Sequence, residues 1–255
     1  MKMTFDQYIN NPMGIKNAVF SAREMYRGLY TEKLNTILVR EVGKVKYKLY
    51  THKDKYYVYM KIPSEVIPNF YYDVVIEFFT DDNKVKLSSS LKDYNVRFYS
   101  NDPSFVFTFA HAMLKNELFI KELVPRMSKE AVKNVAKEKN PNKEIGYVKS
   151  IYFTYLLMKN YGLFNKIVFN NESEKLNLKE LLSQITHADE KIQARQEAQK
   201  ELNKSKKIKN KKEANNIERN ISNPVEFSKS VGNSRKITKT KTVGKIGGVK
   251  RTKKF

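Results

Sequence analysis

The chain contains neither cysteine nor tryptophan. Without cysteine, disulfides and thiolate-bound metals are excluded, and the redox compartment leaves no mark on the sequence. Histidine is sparse. His52, His111 and His187 lie far apart, none with a second ligand at metal spacing, so no metal site is expected. No apolar run is long enough to cross a membrane; the longest, residues 151–158, is flanked by Lys149 and Lys159. The first six residues, Met1-Lys-Met-Thr-Phe-Asp, include an acid and no apolar run, so no secretory signal is expected.

Glycine is limited to nine residues. Its one dense stretch, Gly244-Lys-Ile-Gly-Gly248, lacks the spacing of a phosphate loop and the strand and helix that would flank one. Asp81-Asp82 resembles a carboxylate pair, but adjacent acids before Asn83 ordinarily make a turn. No nucleophile, metal cluster or phosphate loop stands out. No catalytic residue and no cofactor is therefore expected, and the chain reads as a non-enzymatic protein.

Acids are the other shortage. Lys and Arg number 49 against 27 Asp and Glu, for a net charge of +22. From Thr186 to the end there are 20 basic and 7 acidic residues, and from Ser228 onward ten basic residues and no acid. A field of that sign favours polyanions, nucleic acid first and an anionic surface or acidic protein second. Heavy use of lysine, asparagine, isoleucine and tyrosine also fits an AT-rich genome, which accounts for part of the charge.

What is abundant is β-branched and aromatic sequence, densest in Phe70-Tyr-Tyr-Asp-Val-Val-Ile-Glu-Phe-Phe79. Tyr72, Val74, Ile76 and Phe78 share one face at period two; Asp73 and Glu77 share the other with Val75 and Phe79. This predicts a central strand, well covered on one side and partly on the other. Upstream, Thr4 and Gln7 have capping-box spacing for a short helix over 5–9, and Ser21 with Glu24 opens a longer one to about Val39. Residues 45–49 and 56–62 alternate around a turn at 52–55. The segments 85–88 and 96–98 repeat the pattern, making five short strands. Asp102-Pro103 is a helix start, with a helix through Leu114. A turn follows at 118–123, then a lysine-rich helix from Ser128. A helical stripe runs from Ile145 to Leu156, with Gly162 at the C-cap position. Apolar periodicity ends near Ile185, a solvent-exposed helix is expected over 188–203, and from Ser228 onward the chain is a basic arm that is disordered in isolation.

The expected fold is therefore α+β: a small antiparallel β-meander or barrel packed with helices, followed by a charged, helical or disordered basic C-terminal tail. Residues 1–43 form an N-terminal helical segment, 44–100 the sheet, 101–185 the helical part of the same globular domain, and 186–255 the tail.

Two groups of residues are candidates for binding. Tyr47, Tyr57, Tyr59, Tyr71 and Tyr99, interleaved with Lys46, Lys48, Lys61 and Arg97, resemble a sheet that stacks single-stranded bases. Tyrosine also simply suits a half-buried strand, and that reading is preferred. The stronger group is the tail: Lys206, Lys207, Lys209, Lys211 and Lys212, then Arg235, Lys236, Lys250, Arg251, Lys253 and Lys254. Such clusters hold phosphate backbones without reading sequence; the bland alternative is a solvated, solubilising tail.

Two stretches carry a family likeness. Asp102-Pro-Ser-Phe-Val-Phe-Thr-Phe-Ala-His-Ala-Met-Leu114 and Glu144-Ile-Gly-Tyr-Val-Lys-Ser-Ile-Tyr-Phe-Thr-Tyr-Leu156 resemble uncharacterised virion and assembly proteins of tailed bacteriophages from AT-rich hosts. The resemblance covers the folded portion and transfers no functional residue. It implies a structural or assembly role in a phage particle, with other virion proteins and nucleic acid as partners and self-association within an assembly. The location it implies is the virion, or the cytoplasm of the infected host cell.

Overall fold

The computed structural model describes residues 2–10, 45–64, 66–133, 140 and 143–222. The helix expected over 21–39 and the arm beyond residue 222 lie outside the described residues. The chain divides into two units, residues 1–207 and 208–255.

The first unit begins with helix α1 (Phe5–Asn10), set by its capping box. The Gln7 N–H donates to Thr4 Oγ1 at 3.2 Å, and the Thr4 N–H donates to Gln7 Oε1 at 2.9 Å. Strands β1 (Tyr47–His52) and β2 (Lys55–Pro63) form the expected hairpin, turning through Lys53 at a φ of +54°. Strand β3 (Tyr71–Phe79) pairs antiparallel with β2 and with β4 (Asn95–Ser100), as a central strand should.

Two features depart from the meander. Residues 85–88, expected as a strand, fall in and after a one-turn helix, α2 (Asn83–Lys86). The Asp82 carboxylate accepts from the Lys84 and Val85 N–H groups at 2.7 and 3.4 Å, and this local cap prevails over a four-residue alternation. The fifth strand is instead β5 (Glu174–Lys175), which pairs parallel to β1. The sheet is thus mixed and open, in the order β4-β3-β2-β1-β5. The outer edge of β4 does not close into a barrel. Its Val96 N–H reaches Met3 O and its Phe98 N–H reaches Leu118 O, at 2.9 and 2.8 Å.

Beyond the sheet, α3 (Pro103–Thr108) starts at Asp102 with proline in its first turn, and α4 (Ala110–Lys115) follows end to end. A 3₁₀ turn (Lys121–Arg126) and α5 (Lys129–Lys133) come next. Helix α6 (Lys149–Asn160) starts later than the apolar stripe. Residues 145–148 are not helical, and Tyr8 OH donates to Gly146 O at 2.5 Å. Helix α6 ends at Gly162 with a φ of +68°, and the Leu163 N–H returns to Met158 O at 2.9 Å. Then come α7 (Lys166–Glu172), α8 (Leu178–Gln184) and α9 (Ala188–Ser222).

Helices cover both faces of the sheet. On the first, Phe5 and Tyr8 of α1 pack on Phe98, with centroids 5.2 and 4.2 Å apart, and α6 lies on β2 and β3. On the second, Leu123 and Leu181 are buried, the Tyr99 hydroxyl donates to Arg126 O, and Tyr59 OH lies 3.3 Å from Gln184 O. β3 is buried along its whole length after Tyr71.

Candidate functional site

Helix α9 is 35 residues long. The 188–203 segment expected as a helix is its first half. The helix continues because residues 188–222 contain neither glycine nor proline. Ala188 is buried, Ile192 packs on the core, and the Lys191 ammonium sits 4.9 Å from the centre of the Phe70 ring.

The first lysine cluster falls further along this helix, beyond the 188–203 segment expected to be helical. Between Glu201 and Glu213 there are six lysines and no acid. In the first unit Lys204, Lys206 and Lys207 are exposed; in the second, Lys209 and Lys212 are exposed. Lys204 with Lys207, and Lys209 with Lys212, stand three residues apart and so share a helix face as like charges. A polyanion laid on either pair relieves that repulsion. The side chain of Lys211, and all of Arg235, Lys236, Lys250, Arg251, Lys253 and Lys254, lie outside the described residues.

Four of the five candidate tyrosines are engaged within the fold, and Tyr71, at the start of β3, is half-buried. Tyr57, Tyr59 and Tyr99 are buried, and Tyr47 stacks on Tyr161 with centroids 5.5 Å apart. Burial first, and then the neighbouring Glu77 and Asp73, push the Tyr57 and Tyr59 phenols far above the ordinary value of 10. Their hydroxyls are donors in two buried networks. Glu77 meets Lys55 Nζ at 2.6 Å, Arg97 Nη1 at 3.4 Å and Tyr57 OH at 3.4 Å. Asp73 accepts from Tyr59 OH, Asn101 Nδ2 and the Thr186 N–H at 2.9, 2.8 and 3.1 Å. Every donor to Asp73 is uncharged, and together they tie β2, β3, the end of β4 and the approach to α9. The sequence signal for these networks was present in the two acids of a strand otherwise apolar on both faces.

Three of the cavities in the first unit bear on a site. One of about 520 Å³ is walled by Leu123, Leu176 and Leu181 and edged by His52, Glu122 and Lys175. Its size and lining suit a small, largely apolar ligand. A second, of about 270 Å³, is mixed, with Asp102, Ser104, Ser150 and Arg195 set among apolar residues such as Ile62, Phe109 and Val148. The third, of about 340 Å³, lies where Lys46, Lys48 and Lys61 converge beside Tyr59 and Gln184.

Among the described residues no three His, Asp or Glu side chains group as a metal site. His111 Nδ1 lies 2.8 Å from Val132 O, and His187 Nδ1 accepts from the Asp189 N–H at 3.2 Å. Among the same residues no helix is long and apolar enough to cross a membrane.

No family model, no curated protein and no solved structure matches the chain.

Proposed function

We propose that this protein is a non-enzymatic component of particle assembly that holds nucleic acid by its phosphates through α9, with the globular unit docking on neighbouring proteins. The observation that carries this reading is the acid-free run Leu202–Lys212 on a helix, its lysines exposed wherever they are described. Lysine is a point charge without a planar fork, so the contacts neutralise phosphate and read no bases. Arg235, Lys236, Lys250, Arg251, Lys253 and Lys254 extend the same acid-free character and add contacts of the same kind. The resemblance of residues 102–114 and 144–156 to tailed-phage virion proteins supplies the setting, in which the nucleic acid is a packaged genome.

Salt dependence tests this directly. The full chain binds duplex DNA with little sequence preference, and log K falls with log salt by about 0.9 for each phosphate neutralised. Replacing Lys204, Lys206, Lys207, Lys209 and Lys212 together by glutamine lowers that slope by about 0.9 for each lysine in contact. An unchanged slope and affinity in this variant removes α9 as the site. An intact protein that binds no DNA even at low salt makes the basic helix a protein-docking element instead. The second reading, a nucleic-acid-binding protein of replication or regulation, shares this chemistry. Stoichiometric recovery from purified particles favours assembly, and restriction to infected cytoplasm favours the second.

A further inference from the structure

Phosphate recognition in this protein need not stop at the helix. From the lysine-lined concavity on the β1–β2 hairpin we infer a discrete binding site for a small phosphate-bearing anion, independent of α9's lysine cluster. One step beyond the Tyr47–Met60 pair, the Lys61 N–H donates to Lys46 O at 3.0 Å. Lys46 and Lys61 are therefore directly opposite across the ladder and point to the same face. Like charges so placed destabilise a hairpin. Lys48, two residues along β1, projects to that face too, and all three line one concavity of about 340 Å³.

The surrounding acids leave this charge under-compensated. Glu180 Oε1 lies 3.6 Å from Lys48 Nζ and also accepts from Gln184 Nε2 at 2.9 Å. Asp73 pairs with Lys61 in register, but its carboxylate is buried and engaged by Tyr59, Asn101 and Thr186. Three ammonium groups line the hollow, and among the described residues neither Lys46 nor Lys61 has an ion pair. This uncompensated positive charge suits a phosphate group. Separate ammonium donors around a hollow suit a tetrahedral group, where a planar carboxylate favours the arginine fork. The volume leaves room for a second phosphate or for the group esterified to the first. Tyrosine stacking plays no part, since Tyr59 is buried beneath the lysines and its hydroxyl is committed.

Inorganic pyrophosphate titrated into the full chain, read by calorimetry and by thermal melting, tests the site. Binding saturates and raises the melting temperature of the wild type. The double variant K46Q/K61Q binds at least about tenfold more weakly, having lost two charge-assisted contacts. Without ligand it melts no lower than the wild type, because a repulsive pair has gone; this separates loss of the site from loss of the fold. The variant K204Q/K206Q/K207Q, which weakens DNA binding on the reading above, leaves pyrophosphate binding intact. Equal loss in the two variants, or a wild type that never saturates, overturns the inference in favour of diffuse attraction to many lysines. A dinucleotide with a terminal phosphate, compared with its unphosphorylated form, identifies the source. Competition by the phosphorylated form alone assigns the anion to a nucleic-acid end. Pyrophosphate binding without competition from either assigns it to a small soluble ester, and both results support the site.

Discussion

Asp102 caps α3, its carboxylate accepting from the Ser104 N–H at 2.9 Å, while only 8% of the residue remains exposed. Burial raises its pKa from the ordinary 3.8. Hydrogen bonds from Ser104 and Ser150 and the nearby Arg195 charge oppose that rise without cancelling it. A folded-state pKa above the unfolded value means that the native state holds the proton more tightly. This contribution to stability is fully present below pH 3.8 and is lost as pH rises through the raised native pKa. Asp102→Asn keeps a capping oxygen and removes the titration. Urea denaturation at pH 4 and pH 7 should therefore show the variant gaining on the wild type at the higher pH. A stability difference that is the same at both pH values would show that burial of this carboxyl has no net consequence. Asp73 and Glu77 illustrate why such residues are hard to read from sequence. Their alternation with Val75 and Phe79 is visible in the chain, and it predicts a half-covered face. Their burial depends on Lys55, Arg97, Asn101 and Thr186, which lie from 20 to 113 residues away, or across a turn.

Among the elements, those that are legible in the sequence are the ones settled by neighbours within a turn. The Thr4–Gln7 box, the Asp102-Pro103 start and the Gly162 stop each satisfy backbone groups through contacts five or fewer residues apart. Gly162 is the sharpest test. Nothing lies within 4 Å of where its Cβ would stand, so the demand for glycine is purely conformational, from a φ of +68°. Gly162→Ala should cost about 1 kcal/mol in chemical denaturation. Gly162→Asn should cost less, because asparagine tolerates the left-handed region. Equal stability of all three would mean that the chain leaves α6 by another route. The same logic of proximity explains the misread segment at 85–88. Its alternation is genuine, but the Asp82 side chain reaches two backbone donors at once, and Leu87 remains 88% exposed with no sheet to bury it.

For the whole molecule, the question is where the core ends. Ile185 and Ala188 are buried, and the Thr186 N–H is one of three donors holding Asp73. A chain ending at Lys207 retains all of these and should melt cooperatively, close to the full-length protein. One ending at Ser183 loses a buried isoleucine and leaves Asp73 short of a donor, and should be destabilised by about 3–5 kcal/mol. Identical melts for the two truncations would show that the start of α9 adds nothing to the core. The same junction bears on function. The helix that begins by packing on the sheet goes on to carry exposed lysines, so fold and charge meet in one element.

The sequence by itself determined the sign and distribution of charge, the helix caps and the alternation of the central strand. These are sums over composition or contacts within a single turn, and no distant residue can undo them. Only the tertiary structure decided that β5 joins the sheet in parallel, that Tyr57, Tyr59 and Tyr99 are core and not a stacking platform, and that Lys46, Lys48 and Lys61 share one hollow. Each of these follows from strand register or from helices closing over a face. A shift of one residue in register would send every side chain of a strand to the opposite side, and no local pattern specifies which segment arrives to cover it.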